Sequence, residues 1–143
     1  MFLFNFVLMA NKSKEKSAFH GKLISKDHNK AVECRVDLLI YEEDNVHFVY
    51  SPSLDLVGYG VNKKEALSSW EVVYSEYIRY CLNKNTLFND LQKHGWKVKN
   101  KKAIQPPTFS WLMQNNVQLS EVYDNHNFQK TSTQISLPLS NVA

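Results

Sequence analysis

A chain of 143 residues is long enough for one contiguous hydrophobic core and short for two. With 43% hydrophobic and 22% charged residues its composition is that of ordinary globular proteins, which argues against wholesale disorder. The net charge of +3 rests on lysine, Arg35 and Arg79 being the only arginines, so a groove built to read phosphates and base edges bidentately is not expected.

The apolar opening Met1–Ala10 is too short to span a bilayer, and its lysines (Lys12, Lys14, Lys16) follow the run, whereas a secretory signal puts them before it. Residues 1–18 are therefore expected to be a tail outside the fold, with Met9 as the true start. The protein is read as cytoplasmic, with no membrane association. Residues 19–24 and 31–41 are separated by the polar, turn-rich stretch Ser25–Lys30. In the second run Cys34, Val36, Leu38 and Ile40 alternate with Arg35, Asp37, Leu39 and Tyr41, the period of a strand with one apolar face. Glu42-Glu-Asp-Asn45 reads as a polar turn, and Val46, Phe48 and Tyr50 resume the alternation, completing a β-hairpin. Pro52 stops the second strand because proline cannot donate into a ladder. A short strand is expected over Leu56–Tyr59, with Gly58 and Gly60 marking bends or positive-φ positions.

Asn62-Lys-Lys-Glu65 has the capping-box pattern, and Glu65 suits the first turn of a helix. Ala66, Trp70, Val73, Tyr77 and Cys81 follow at helical spacing, widened by Leu67, Tyr74 and Ile78, so a helix is expected to about Leu82. Trp70, Val73, Tyr77 and Cys81 are expected to face the sheet. A second, shorter helix fits Thr86–His94, with Leu87, Phe88 and Leu91 on one face and Gly95 at a left-handed cap. Pro106-Pro107 breaks the chain. Residues 108–130, within a loop-rich stretch 103–130, are polar, asparagine-rich and ambiguous, with Trp111, Leu112, Val117, Leu119 and Tyr123 as possible anchors, and Thr133–Leu139 alternates as a late strand. The fold class expected is α+β: an antiparallel sheet of three to four strands, one long helix packed on it, a short second helix and a C-terminal strand. Residues 19–143 read as one domain around a 34–82 core.

Little in the sequence promises chemistry. Cys34 and Cys81 lie in apolar-patterned segments and read as buried free thiols; the five histidines form no HxxxH, and there is no CxxC. No nucleotide-binding, nucleophile-elbow or zinc-protease motif occurs. Asp37 and Asp55 lack the further carboxylates a metal-dependent nuclease needs, and Ser51, His47 and Asp55 make a triad on paper only. Neither enzymatic activity, cofactor nor metal is expected. Lys93, Lys97, Lys99, Lys101 and Lys102, interleaved with His94 and Trp96, are the one nucleic-acid signal. A tryptophan just after a helix is more often a core anchor, and lysines there also complement the helix dipole. Binding of nucleic acid through this segment is expected to be weak and independent of sequence.

The stretch Val36–Tyr80 resembles the HicB-type antitoxin family. The features that carry the likeness are Glu42-Glu-Asp-Asn45, Phe48-Val-Tyr-Ser-Pro52-Ser-Leu54, Gly58-Tyr-Gly60 and Asn62-Lys-Lys-Glu65-Ala66. It departs from the family in having Asp55-Leu-Val57 where Pro-Gly-Cys is commoner, and Asn62 where threonine usually caps. No recognisable helix-turn-helix or ribbon-helix-helix follows Tyr80, so operator binding is not expected. The resemblance implies a partial RNase H-like fold and a protein that neutralises a small ribonuclease toxin of the HicA type by covering it. In that reading Pro52, Leu54, Gly58, Gly60, Asn62, Glu65 and Ala66 have structural roles, and a homodimer is expected from pairing at an exposed hairpin edge. Leu91-Gln-Lys-His-Gly-Trp96 faintly resembles the opening of the toxin family, but the Gly-Ser-His of that toxin is missing and no toxin activity is implied. The rival readings are a weak nucleic-acid-binding module using Lys93–Lys102 and an orphan structural domain.

Overall fold

The computed structural model describes residues 31–100 and 103–138, so the expected tail at 1–18, the run at 19–24 and the turn at 25–30 lie outside the described residues. Strands β1 (Ala31–Glu43), β2 (Val46–Ser51) and β3 (Leu56–Gly60) lead into helix α1 (Lys63–Lys84) and the short α2 (Leu87–Lys93). A two-stranded ribbon, β4 (Lys97–Asn100) and β5 (Ala103–Gln105), follows, then α3 (Phe109–Asn115), α4 (Val117–Asn125) and the final strand β6 (Phe128–Pro138). The four long-range strands form one antiparallel sheet in the order β3-β2-β1-β6. The α+β class, the long helix, the short second helix and the C-terminal strand are as the sequence led one to expect.

Local chemistry explains the boundaries. The hairpin turn is narrower than its four polar residues: Glu42 and Glu43 stay in the ladder, and Asp44 and Asn45 alone make the reversal, at φ 54° and 65°. Successive left-handed residues match the twist of a two-residue hairpin, and Asp and Asn tolerate that region. Beyond Ser51 the chain closes a turn in which the Ser51 carbonyl accepts from Leu54 N–H (3.3 Å) and Asp55 N–H (2.8 Å). Asn62 caps α1 by accepting from Glu65 N–H at 2.8 Å, while Glu65 accepts from Val61 N–H at 3.1 Å, one residue earlier than the reciprocal bond of a capping box. The helix ends on Asn85 at φ 57°, and α2 is followed by Gly95 at φ 91°, the left-handed position expected of it.

The sheet is covered on both faces. On the first, Val36, Leu38, Ile40, Val49, Ile135 and Leu137 pack against Ala66, Trp70, Tyr74, Ile78 and Cys81 of α1, with Leu54, Leu87, Leu91 and Trp96 closing the end. On the second, Leu39, Tyr41 and Tyr50 pack against Leu112, Leu119 and Val122. This corrects two expectations. β1 carries apolar residues on both sides over Leu38–Tyr41, because the stretch expected to be loop holds α3 and α4, which cover the second face. The helix is also rotated from the expected register: its buried ridge is Ala66, Trp70, Tyr74, Ile78 and Cys81, with Val73 and Tyr77 partly buried at its flanks and Tyr77 packed against the margin of the core.

Gly58 and Gly60 are correctly placed but for another reason. Neither has a positive φ. A Cβ on Gly58 would lie 2.6 Å from the Cα of Trp70, and one on Gly60 2.5 Å from the Cβ of Glu65, so both admit α1 to within backbone contact of β3. The premise for strand pairing changes too. The hairpin strands are central, flanked by β3 and β6. Along the β3 edge, Ser69 Oγ accepts from Tyr59 N–H at 3.2 Å and Glu65 from Val61 N–H, so side chains of α1 take donors that another strand would need. Among the described residues, no helix is long and apolar enough to cross a membrane.

Candidate functional site

The residues singled out in the sequence separate into two groups. Pro52, Leu54, Gly58, Gly60, Asn62, Glu65 and Ala66 form one continuous junction between β2, β3 and the start of α1. Pro52, Leu54, Gly58 and Ala66 are buried there. Ser51 ties the junction together, donating to the Leu56 carbonyl at 3.2 Å and accepting from the Trp70 indole N–H at 2.9 Å. The lysines are less unified. Lys93 and Lys97 are exposed, Lys99 belongs to β4, and Lys101 and Lys102 lie outside the described residues. Trp96 is 3% exposed and donates its indole N–H to the Ser53 carbonyl at 2.7 Å, which makes it a core anchor and removes it as a stacking surface for the lysines.

The paper triad does not assemble. Ser51 is committed to Trp70 and Leu56, His47 Nε2 lies 3.6 Å from Glu42, and Asp55 accepts from the Tyr50 hydroxyl at 2.7 Å. Asp37 pairs with Lys130 at 3.7 Å, and among the described residues no cluster of three His, Cys, Asp or Glu side chains could hold a metal ion. Burial is the main cause that holds the Cys34 thiol up at about 12, with Glu33 adding to it, so it stays protonated and unreactive at neutral pH.

What the structure does assemble is a cleft of about 310 Å³ between the Pro52–Asp55 turn, the end of α2 and the α3–α4 junction. Its wall includes Asp55, Lys93, His94, Trp111 and Asn116. Asp55 stands at φ 57°, a left-handed residue stabilised from within by Tyr50. Burial first, and the bond to Asp55 second, push the Tyr50 phenol above its ordinary range, so it remains a neutral donor. Asn116 is the hub: its amide donates to the Tyr50 hydroxyl (2.9 Å) and the Pro52 carbonyl (3.3 Å), and its oxygen caps α4 through Leu119 N–H (3.0 Å). On the opposite side, His94 Nδ1 lies 2.8 Å from the Asp90 carbonyl and 3.5 Å from its carboxylate, which also accepts from Tyr77. A carbonyl only accepts, so Nδ1 carries a proton there and Nε2 is the atom left for a ligand.

Trp111 completes the cleft. The six-membered ring of its indole rests on Gly95, where a Cβ would come within 2.5 Å of it, and the side chain remains 38% exposed. Sequence reasoning weighed Trp96 as a stacking surface because it neighbours the lysines in the chain, and favoured the core anchor that it is. Trp111 reaches Lys93 and His94 only through the fold. The available signal was Thr108 and Asn116, each an N-cap residue type: Thr108 caps α3 at 3.1 Å as Asn116 caps α4.

No family model matches the chain, and no solved structure matches it. Among curated proteins it is 39% identical over 64 residues to an argininosuccinate lyase of Prochlorococcus marinus subsp. pastoris. The match covers 45% of this chain and 13% of that enzyme, so the chain spans only a small part of the relative's length.

Proposed function

We propose that the chain is a HicB-like antitoxin, or a protein-binding module descended from one, which neutralises a small basic ribonuclease of the HicA type by occluding it in the cytoplasm. One observation carries the reading. The residues singled out for structural roles join sheet to helix: Pro52 and Leu54 in the buried turn, Gly58 and Gly60 in the approach of α1, Asn62 and Glu65 in its cap. A motif whose residues shape a scaffold suits a protein that acts by surface complementarity, and the proposal includes that it turns over no substrate. Two exposed apolar surfaces offer themselves to a partner. Val57 (43% exposed) and Tyr59 (64%) lie on the outermost strand β3 with Val61 (71%) just beyond it, and Trp111, Val117 and Tyr123 project from α3 and α4. A standard interface of about 1,600 Å² in total draws on patches of this kind.

The reading expects a small basic reading frame bearing Gly-Ser-His beside this gene, and the test is to look for it and co-express the two; its absence overturns the reading. Restored growth is expected when both are present, and Tyr59→Lys is expected to weaken the rescue without unfolding the protein. A neighbour that is harmless, or whose toxicity the chain does not relieve, overturns the reading.

A further inference from the structure

We propose that the cleft between the Pro52–Asp55 turn, α2 and the α3–α4 junction binds a nucleotide whose base carries an exocyclic amine. This is independent of the antitoxin reading. Three different kinds of group meet on its wall, and each selects a part of such a ligand. Trp111 offers an indole braced from behind by Gly95, a surface on which any base can stack. Lys93 and His94 stand side by side where α2 ends. Lys93 forms no ion pair among the described residues, and His94 keeps Nε2 for a ligand because Asp90 occupies Nδ1. Lys93 supplies the charge that favours a phosphate, and His94 Nε2 accepts from a ligand hydroxyl such as that of a ribose.

The third group turns a general anion site into a selective one. Asp55 is an exposed carboxylate whose Oδ1 accepts from Tyr50, leaving Oδ2 to accept from a ligand N–H. A carboxylate so placed suits the amine of adenine or cytosine and repels the carbonyl edge of uracil. The turn that presents it is held by Asn116, which binds both Tyr50 and Pro52. The volume, about 310 Å³, admits one nucleotide unit. The rival occupant, a basic side chain caged by Trp111 and Asp55, would meet Lys93 at close range and is disfavoured by its charge.

The experiment titrates the full chain with AMP, UMP, adenosine and a single-stranded adenylate hexamer, by calorimetry and by tryptophan fluorescence. Trp70 and Trp96 are 0% and 3% exposed, so a nucleotide in the cleft should quench Trp111 alone. Saturable AMP binding is expected, with adenosine and UMP each at least about tenfold weaker. Lys93→Gln should abolish the advantage of AMP over adenosine, Asp55→Asn should narrow its advantage over UMP, and Trp111→Ala should weaken all of them. A hexamer that binds more tightly than AMP assigns the site to an RNA strand, and equal affinities assign it to a free nucleotide. Absence of saturable binding by AMP and the hexamer, or binding unchanged in both Lys93→Gln and Trp111→Ala with native circular dichroism, overturns the proposal.

Discussion

At Gly58 the sign of a substitution reports the fold. Alanine in place of glycine in an open strand lowers the entropy of the unfolded chain and stabilises by a fraction of a kcal/mol. Here the added methyl would push on the backbone of Trp70 and on the Ala66 carbonyl, 2.9 Å away. Gly58→Ala is expected to destabilise by about 3 kcal/mol, measured by urea denaturation, because backbone cannot step aside as a flexible side chain can. The glycine was visible in the sequence; its reason was not, since the atom it avoids lies twelve residues further on. A second residue-scale prediction concerns alkali. Burial raises Cys34 to about 12, and raises Tyr50, Tyr74 and Tyr77 from their usual values. Each group then binds its proton more firmly when folded than when unfolded. Stability from these groups is fully present below the unfolded values near 9 and 10, and is lost as pH rises through the folded ones. The midpoint of urea unfolding should therefore fall steadily from about pH 9 upward; a flat profile to pH 11 would contradict the burial of these side chains.

Among the elements, α1 was the most legible because 22 residues give a periodic stripe many chances to repeat. Even so, the stripe was too wide to fix its centre: Trp70 and Cys81 belong to it in either register, and only packing chooses Tyr74 and Ile78 over Val73 and Tyr77. Ile78→Asp is accordingly expected to unfold the protein at 25 °C, at a cost of roughly 3 kcal/mol or more for a buried unpaired charge. Val73→Asp, which the sequence alone would rank as severe, should cost less, since a half-exposed carboxylate can reach water. Equal melting temperatures for the two variants would contradict the observed rotation. The region 103–130 was misread because α3 and α4 have 7 and 9 residues, too few for a clear period, and each is started by a side-chain cap that resembles an ordinary polar loop residue. Asn116→Ala removes the α4 cap and the amide bonds to Tyr50 and Pro52 together, and is expected to lower stability by about 2 kcal/mol.

For the whole molecule, the sheet between two helical layers leaves function to the surfaces that remain. The hairpin, the Pro52 stop and the capped helix could be read from sequence because each depends on neighbours in the chain. The cleft could not, because Asp55, Lys93 and Trp111 come from three separate elements and meet only through long-range packing. The bonds that Ser69 and Glu65 of α1 make to the N–H groups of Tyr59 and Val61 along the β3 edge likewise come only through the fold, beside the exposed side chains of Val57, Tyr59 and Val61. The central claim is that the chain acts by covering a small ribonuclease. Its most direct test is RNA cleavage by the small basic protein that this reading expects to be encoded beside the gene, measured while this chain is added in increasing amounts. Cleavage is expected to fall linearly and stop near one chain per ribonuclease, with both proteins then eluting as one complex. Cleavage that continues unchanged at several-fold excess, or a neighbour without any ribonuclease activity, would contradict the account.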